Sequence, residues 1–113
     1  MMGGAASRRK GHSFEREIAK RFRDIYPAAK RGIQTRFGGG EAADVIVPHF
    51  HLELKRWKSC NIKKALQQAT EECEAGKVPV AICKDDRKRE TVTMYLDDFL
   101  PLVKEAKIKD RIV

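Results

Sequence analysis

The chain has 113 residues, 24 Lys and Arg against 16 Asp and Glu, and a formal net charge of +8. That length holds one domain, and 42% apolar residues mark a globular rather than a disordered chain. No apolar run approaches the ~20 residues that span a bilayer, and the start, Met1 to Lys10, has no apolar stretch like a secretory signal.

Residues 1–9 read as a flexible basic arm with nothing to bury, and residues 10–113 as the single domain. Phe14, Ile18, Phe22 and Ile25 recur at helical spacing and predict a helix from Lys10 to Ile25, ended by Tyr26-Pro27. Lys30 to Phe37 predicts a strand, broken by Gly38-Gly39-Gly40. Ala43 to Val47 and His51 to Trp57 read as a hairpin that turns at Pro48-His49. Asn61 caps a helix to Ala75, stopped by Gly76, with Ile62, Ala65, Leu66, Ala69 and Cys73 as its apolar stripe. Val78 to Cys83 and Thr91 to Leu96 are strands around a charged turn, Asp85 to Arg89. A last helix from Asp98 keeps Pro101 in its first turn. The fold class is α/β, a mixed central sheet flanked by helices.

Three cysteines, Cys60, Cys73 and Cys83, are odd in number and lack Cys-x-x-Cys spacing. They read as small apolar fillers in a reducing cytoplasm rather than as a disulfide framework or zinc knuckle. The positive balance favours a polyanion, nucleic acid first, although a merely solvated basic surface gives the same count. The basic residues are not gathered on one amphipathic helix, so a membrane surface is not expected.

Candidate chemistry centres on Asp44 and on Glu53-Leu54-Lys55. Strand alternation puts Glu53 and Lys55 on one face and Leu52 and Leu54 on the other. Asp44 begins the preceding strand and lies across the hairpin. Two carboxylates hold a hard cation such as Mg²⁺, and an ammonium beside them stabilises charge on a phosphoryl group or positions water. The plainer reading is an exposed Glu-x-Lys ion pair with Asp44 capping a turn. On the first helix Glu15 lies ~65° from the stripe centre and Glu17 ~95° to the other side, so Glu15 is better placed as a third carboxylate. Glu17 pairing with Arg21 is the alternative. On the second helix Gln68, ~110° from the stripe centre, is nearer the packed side than Gln67 at ~150°. Arg36, Arg56, Lys58, Lys63 and Lys64, with Arg8, Arg9 and Lys10 by the first helix, form a basic rim for DNA phosphates.

His12, His49 and His51 read first as turn or surface histidines, with His51 on the face of Glu53. Trp57 shares the face of Lys55 and either stacks on a base or packs at the edge. Glu41 reads as loop surface and reserve ligand, and Tyr95 as strand core.

The ordered set Asp44…Glu53-Leu54-Lys55 resembles the PD-(D/E)xK nuclease signature, and Lys10-Gly11-His12-Ser13-Phe14-Glu15-Arg16-Glu17 resembles the opening helix of its Holliday-junction-resolvase branch. Gly38-Gly39-Gly40, Ala65-Leu66-Gln67-Gln68-Ala69, Pro79-Val80-Ala81-Ile82 and Leu96-Asp97-Asp98-Phe99-Leu100 are similar to small phage and prophage members. The similarity covers roughly residues 8–104. Ala43 stands where the family's name has proline. The resemblance implies a restriction-endonuclease-like core. It implies Mg²⁺ or Mn²⁺ on Glu15, Asp44, Glu53 and the Leu54 carbonyl, with Lys55 as catalytic lysine and Gln68 in support. It also implies hydrolysis of branched or double-stranded DNA by a homodimer. Three alternatives stay open: a non-catalytic nucleic-acid-binding module on this fold, a nuclease for flapped, nicked or damaged DNA, and a subunit active only with a partner.

Overall fold

A computed structural model describes residues 4–32 and 43–110, with side chains from residue 11 onward. Among these residues the order is α1 (Gly4–Arg23), β1 (Lys30–Arg31), β2 (Val45–Ile46), β3 (Phe50–Trp57), α2 (Ile62–Glu71), β4 (Val78–Asp85), β5 (Thr91–Thr93) and α3 (Leu96–Asp110). The strands form one sheet in sequence order. β1 pairs antiparallel with β2 and β2 antiparallel with β3, β3 and β4 are parallel, and β5 returns antiparallel to β4. The parallel pair needs a crossover, and α2 supplies it. This is the mixed α/β architecture expected of a restriction-endonuclease-like core.

Strand alternation separates two packing layers. Leu52, Leu54, Val80 and Ile82 meet Phe14 and Ile18 of α1 on one face. Ala81 and Cys83 meet Ala65 and Leu66 of α2 on the other. Small residues on both sides let α2 lie close to β4. Asn61 caps α2 as expected: its Oδ1 accepts from Lys64 N at 3.1 Å.

Several boundaries differ from expectation. α1 begins at Gly4 rather than Lys10, taking in part of the segment read as an arm; Ala5, Ala6 and the basic run that follows are good helix formers. It ends at Arg23, so Ile25 falls beyond it and is 70% exposed rather than in the stripe. β1 holds only Lys30 and Arg31, and Gly32 falls outside it; Ile33 to Phe37 of that expected strand, the triple glycine and Glu41 lie outside the described residues. α2 stops at Glu71, short of Ala75, and Gly76 supplies the positive φ (84°) of the turn into β4. β4 runs on to Asp85, because its parallel register with β3 continues to Trp57. β5 ends at Thr93 and α3 starts at Leu96. Tyr95 is therefore an exposed residue at a helix start, not strand core, and Pro101 lies past the first turn, where it forfeits one backbone hydrogen bond.

Candidate active site

β3 delivers three polar side chains, His51, Glu53 and Lys55, to its α2-facing side, where their β4 partners are Pro79, Ala81 and Cys83. Glu53 is buried, and Lys55 Nζ stands 3.3 Å from its Oε1. The pairing of Val45 with Leu52 sets Asp44 opposite Glu53. Asp44 is tied to β3 twice: its N–H donates to Leu52 O (3.0 Å), and its Oδ2 accepts from Leu54 N at 2.8 Å. A strand residue points its N–H and C=O to the same side. The Leu54 carbonyl therefore faces the edge where Asp44 sits.

Glu15 approaches from α1. Its Oε2 accepts from Arg31 Nε at 3.1 Å, and its charge reaches Asp44. Burial raises the Asp44 carboxyl above its ordinary value against the Leu54 N–H, which lowers it; Glu15 raises it further, while Lys55 and Glu53 lower it. Burial, then the Asp44 charge, pushes Glu53 up to about 8, with Lys55 opposing and Glu72 adding to the rise. One ammonium therefore faces more carboxylate than it neutralises. A divalent cation would relieve that imbalance, and the donors are the hard oxygens that Mg²⁺ and Mn²⁺ take.

His51 corrects its expectation. It is 1% exposed, not a surface or turn residue, whereas His12 and His49 are exposed. Ligand atoms of His51, Glu53 and Glu72 lie within 4.8 Å of one another. His51 Nδ1 accepts from Glu74 N at 3.4 Å, which leaves the ring proton on Nε2, an atom with no hydrogen-bond partner. Burial, then Lys77, lowers its pKa and keeps the ring neutral.

A groove of about 390 Å³ opens beside Lys55, walled by Trp57, Ser59, Asn61, Lys64, Ala65 and Gln68. Gln68 is half-buried and donates to Glu72 Oε1 at 3.1 Å; Gln67 is exposed. Trp57 is 54% exposed. The groove wall is stitched to the end of β4: Cys60 N donates to Asp85 Oδ1 at 2.7 Å, and Cys60 Sγ reaches Lys84 O at 3.4 Å.

The structure thus brings Asp44, Glu53, Lys55 and the Leu54 backbone together, with Glu15 beside Asp44 and Gln68 across the groove. Of the expected basic rim, Lys64 lines the groove and Lys58 and Lys63 are exposed nearby in sequence. Arg56 alternates onto the other face of β3 and is half-buried with its Nε unpartnered, so it stands apart from the groove. Arg36 and the side chains of Arg8, Arg9 and Lys10 lie outside the described residues. Two neighbours of the site were not singled out from sequence. Glu72 was findable, one helical turn after Gln68; Arg31 carried no signal, because its partner Glu15 is 16 residues away.

Residues 6–112 match the family described as phage putative PDDEXK endonuclease. The chain belongs to that family. No curated protein and no solved structure matches the chain. Among the described residues no helix is long and apolar enough to cross a membrane.

Proposed function

We propose that this PDDEXK protein is a metal-dependent endonuclease that hydrolyses DNA phosphodiester bonds, selects branched structures in the manner of Holliday-junction resolvases, and works as a homodimer in the cytoplasm, that of a bacterial host if phage-encoded. The observation that carries the reading is the pairing of a buried carboxyl, Glu53, with a half-buried one, Asp44, and an ammonium 3.3 Å from Glu53.

Glu15, Asp44, Glu53 and the Leu54 carbonyl would hold Mg²⁺ or Mn²⁺. The bound cation supplies Lewis acidity for the scissile phosphate and the attacking water. Lys55 sits where it can hold that water or a phosphate oxygen and oppose the charge that develops on phosphorus. The Leu54 N–H fixes the Asp44 carboxylate, and Arg31 fixes Glu15. Gln68 orients Glu72 and faces the groove as a supporting residue. Lys58, Lys63, Lys64, Arg36 and the basic residues Arg8, Arg9 and Lys10 are assigned to backbone phosphates, and Arg56, on the other face of β3, is not.

Cleavage of four-way junctions, flaps, nicked duplex, linear duplex and single strands, with Mg²⁺ or Mn²⁺ and with chelator, tests the reading. Metal-dependent cutting with the four-way junction preferred is expected. Preference for flaps or nicks would correct the substrate. No product on any DNA, with salt-sensitive binding unchanged in Asp44→Ala, would leave a binding module instead.

A further inference from the structure

His51 is 1% exposed, and its Nε2 has no hydrogen-bond partner. A buried polar atom left this way is costly, and a chain that keeps one gives it a use. Two carboxylates stand close to the ring. One ligand atom each from His51, Glu53 and Glu72 lies within 4.8 Å of the other two. Donors that hold a transition ion at ~2.0–2.2 Å stand ~3–4 Å from one another, so shifts of less than about 1 Å close the set. Glu72 is the member best able to shift, being half-buried and at the C-cap of α2.

The surroundings favour a cation at this point. Gln68 Nε2 donates to Glu72 Oε1 at 3.1 Å, the kind of outer contact that orients a ligating carboxylate. The negative end of the α2 dipole lies at Glu72, and the last turn of α2 carries no basic residue to offset it. The Lys77 ammonium, which opposes a cation here, is occupied by Glu74 Oε2 and Val47 O, each at 3.1 Å. We propose that His51, Glu53 and Glu72 form a second cation site, which takes a transition ion such as Zn²⁺ in preference to Mg²⁺. An imidazole nitrogen suits Zn²⁺, whereas Mg²⁺ takes oxygen ligands and keeps its waters. The site shares Glu53 with the cation position of the preceding reading, and it rests on that reading only for this sharing. Coordination uses the Nε2 lone pair. The ring proton therefore moves from Nε2 to Nδ1, and the contact from Glu74 N, long at 3.4 Å, is released.

The test adds Zn²⁺ to the full chain and follows the histidine rings by nitrogen-15 NMR, with affinity read by competition against a chromophoric chelator. Without metal, His51 should carry its proton on Nε2. Zn²⁺ at one equivalent should shift the Nε2 resonance to a metal-bound position and move the proton to Nδ1, leaving His12 and His49 unchanged. Affinity for Zn²⁺ should fall about tenfold to a hundredfold in His51→Gln and in Glu72→Gln. An excess of Mg²⁺ of about a hundredfold should not restore the metal-free spectrum. Glu72→Gln, at a half-buried position, keeps the circular dichroism of wild type and serves where His51→Gln unfolds. A His51 ring indifferent to Zn²⁺ overturns the proposal, as does a folded Glu72→Gln chain that binds Zn²⁺ as wild type does. A Zn²⁺ shift at His12 or His49 in place of His51 overturns it too, and displacement by Mg²⁺ overturns the selectivity. Asp44→Asn removes a carboxylate of the nuclease reading alone and should still bind Zn²⁺ at His51. A chain that shows the His51 switch and cuts no DNA fails the nuclease reading only. A chain that cuts with Mg²⁺ while its His51 ring ignores Zn²⁺ fails only this one.

Discussion

Glu53 and Lys55 face each other at 3.3 Å on β3, yet the Glu53 carboxyl is pushed up to about 8. The ion pair is outweighed by burial and by Asp44 and Glu72. Under the proposed function, a cation bound here would displace the Glu53 proton.

Metal binding should be proton-linked. At pH 7 Glu53 is mostly protonated, so binding Mn²⁺ should release about one proton per chain, and apparent affinity should rise about tenfold per pH unit from pH 6 towards 7.5. Titration calorimetry in buffers of different ionisation enthalpy measures both. No proton release at pH 7 would contradict the raised Glu53 carboxyl.

The same group sets a pH dependence of folding. Its folded value is raised above the ordinary 4.5. The folded state thus holds more protons than the unfolded state between roughly pH 4.5 and 8, and stability falls as pH rises through that window. Glu53→Gln removes the titration while keeping the shape. In chelator, the variant should be more stable than wild type at pH 8, by an amount on the order of a few kcal/mol, and close to it at pH 5. Urea melts at the two values decide it. The variant should neither cut DNA nor bind Mn²⁺ as wild type does.

Lys55→Met should lower cleavage about 10²–10³-fold, the scale for removing one donor aimed at developing charge. DNA affinity in Ca²⁺ should change little by comparison. Equal losses in binding and cutting would make Lys55 a binding residue only.

The basic residues should divide by face. Lys64 lines the groove and Arg56 does not. Lys64→Ala should weaken binding and lower the salt slope by about one, whereas Arg56→Ala should leave the slope unchanged. Filter binding across a salt series separates them.

Much of the site was legible because strand alternation is local: it placed Glu53 and Lys55 together and sent Leu52 and Leu54 to the α1 core. Helical angles ranked Gln68 above Gln67 by the same logic. What escaped depends on distant partners. His51 is buried because α2 and the Glu74 backbone close over it, and no short-range pattern encodes that. Tyr95 looked like core because Thr91 to Leu96 alternates well, but β4 pairs only as far as Thr93. Ile25 kept the helical period of α1 after the chain had already turned towards Pro27.

The Cys60 clasp on Asp85 and Lys84 has a consequence for recognition. It anchors the stretch from Trp57 to Asn61 on the neighbouring strand, and burial raises the Cys60 thiol, so the clasp resists alkylation near neutral pH. A wall braced in this way is set before any DNA arrives. Under the proposed reading, nucleic acid entering beside this wall would have to adapt its own shape, and helices that bend or open easily would do so with the least distortion.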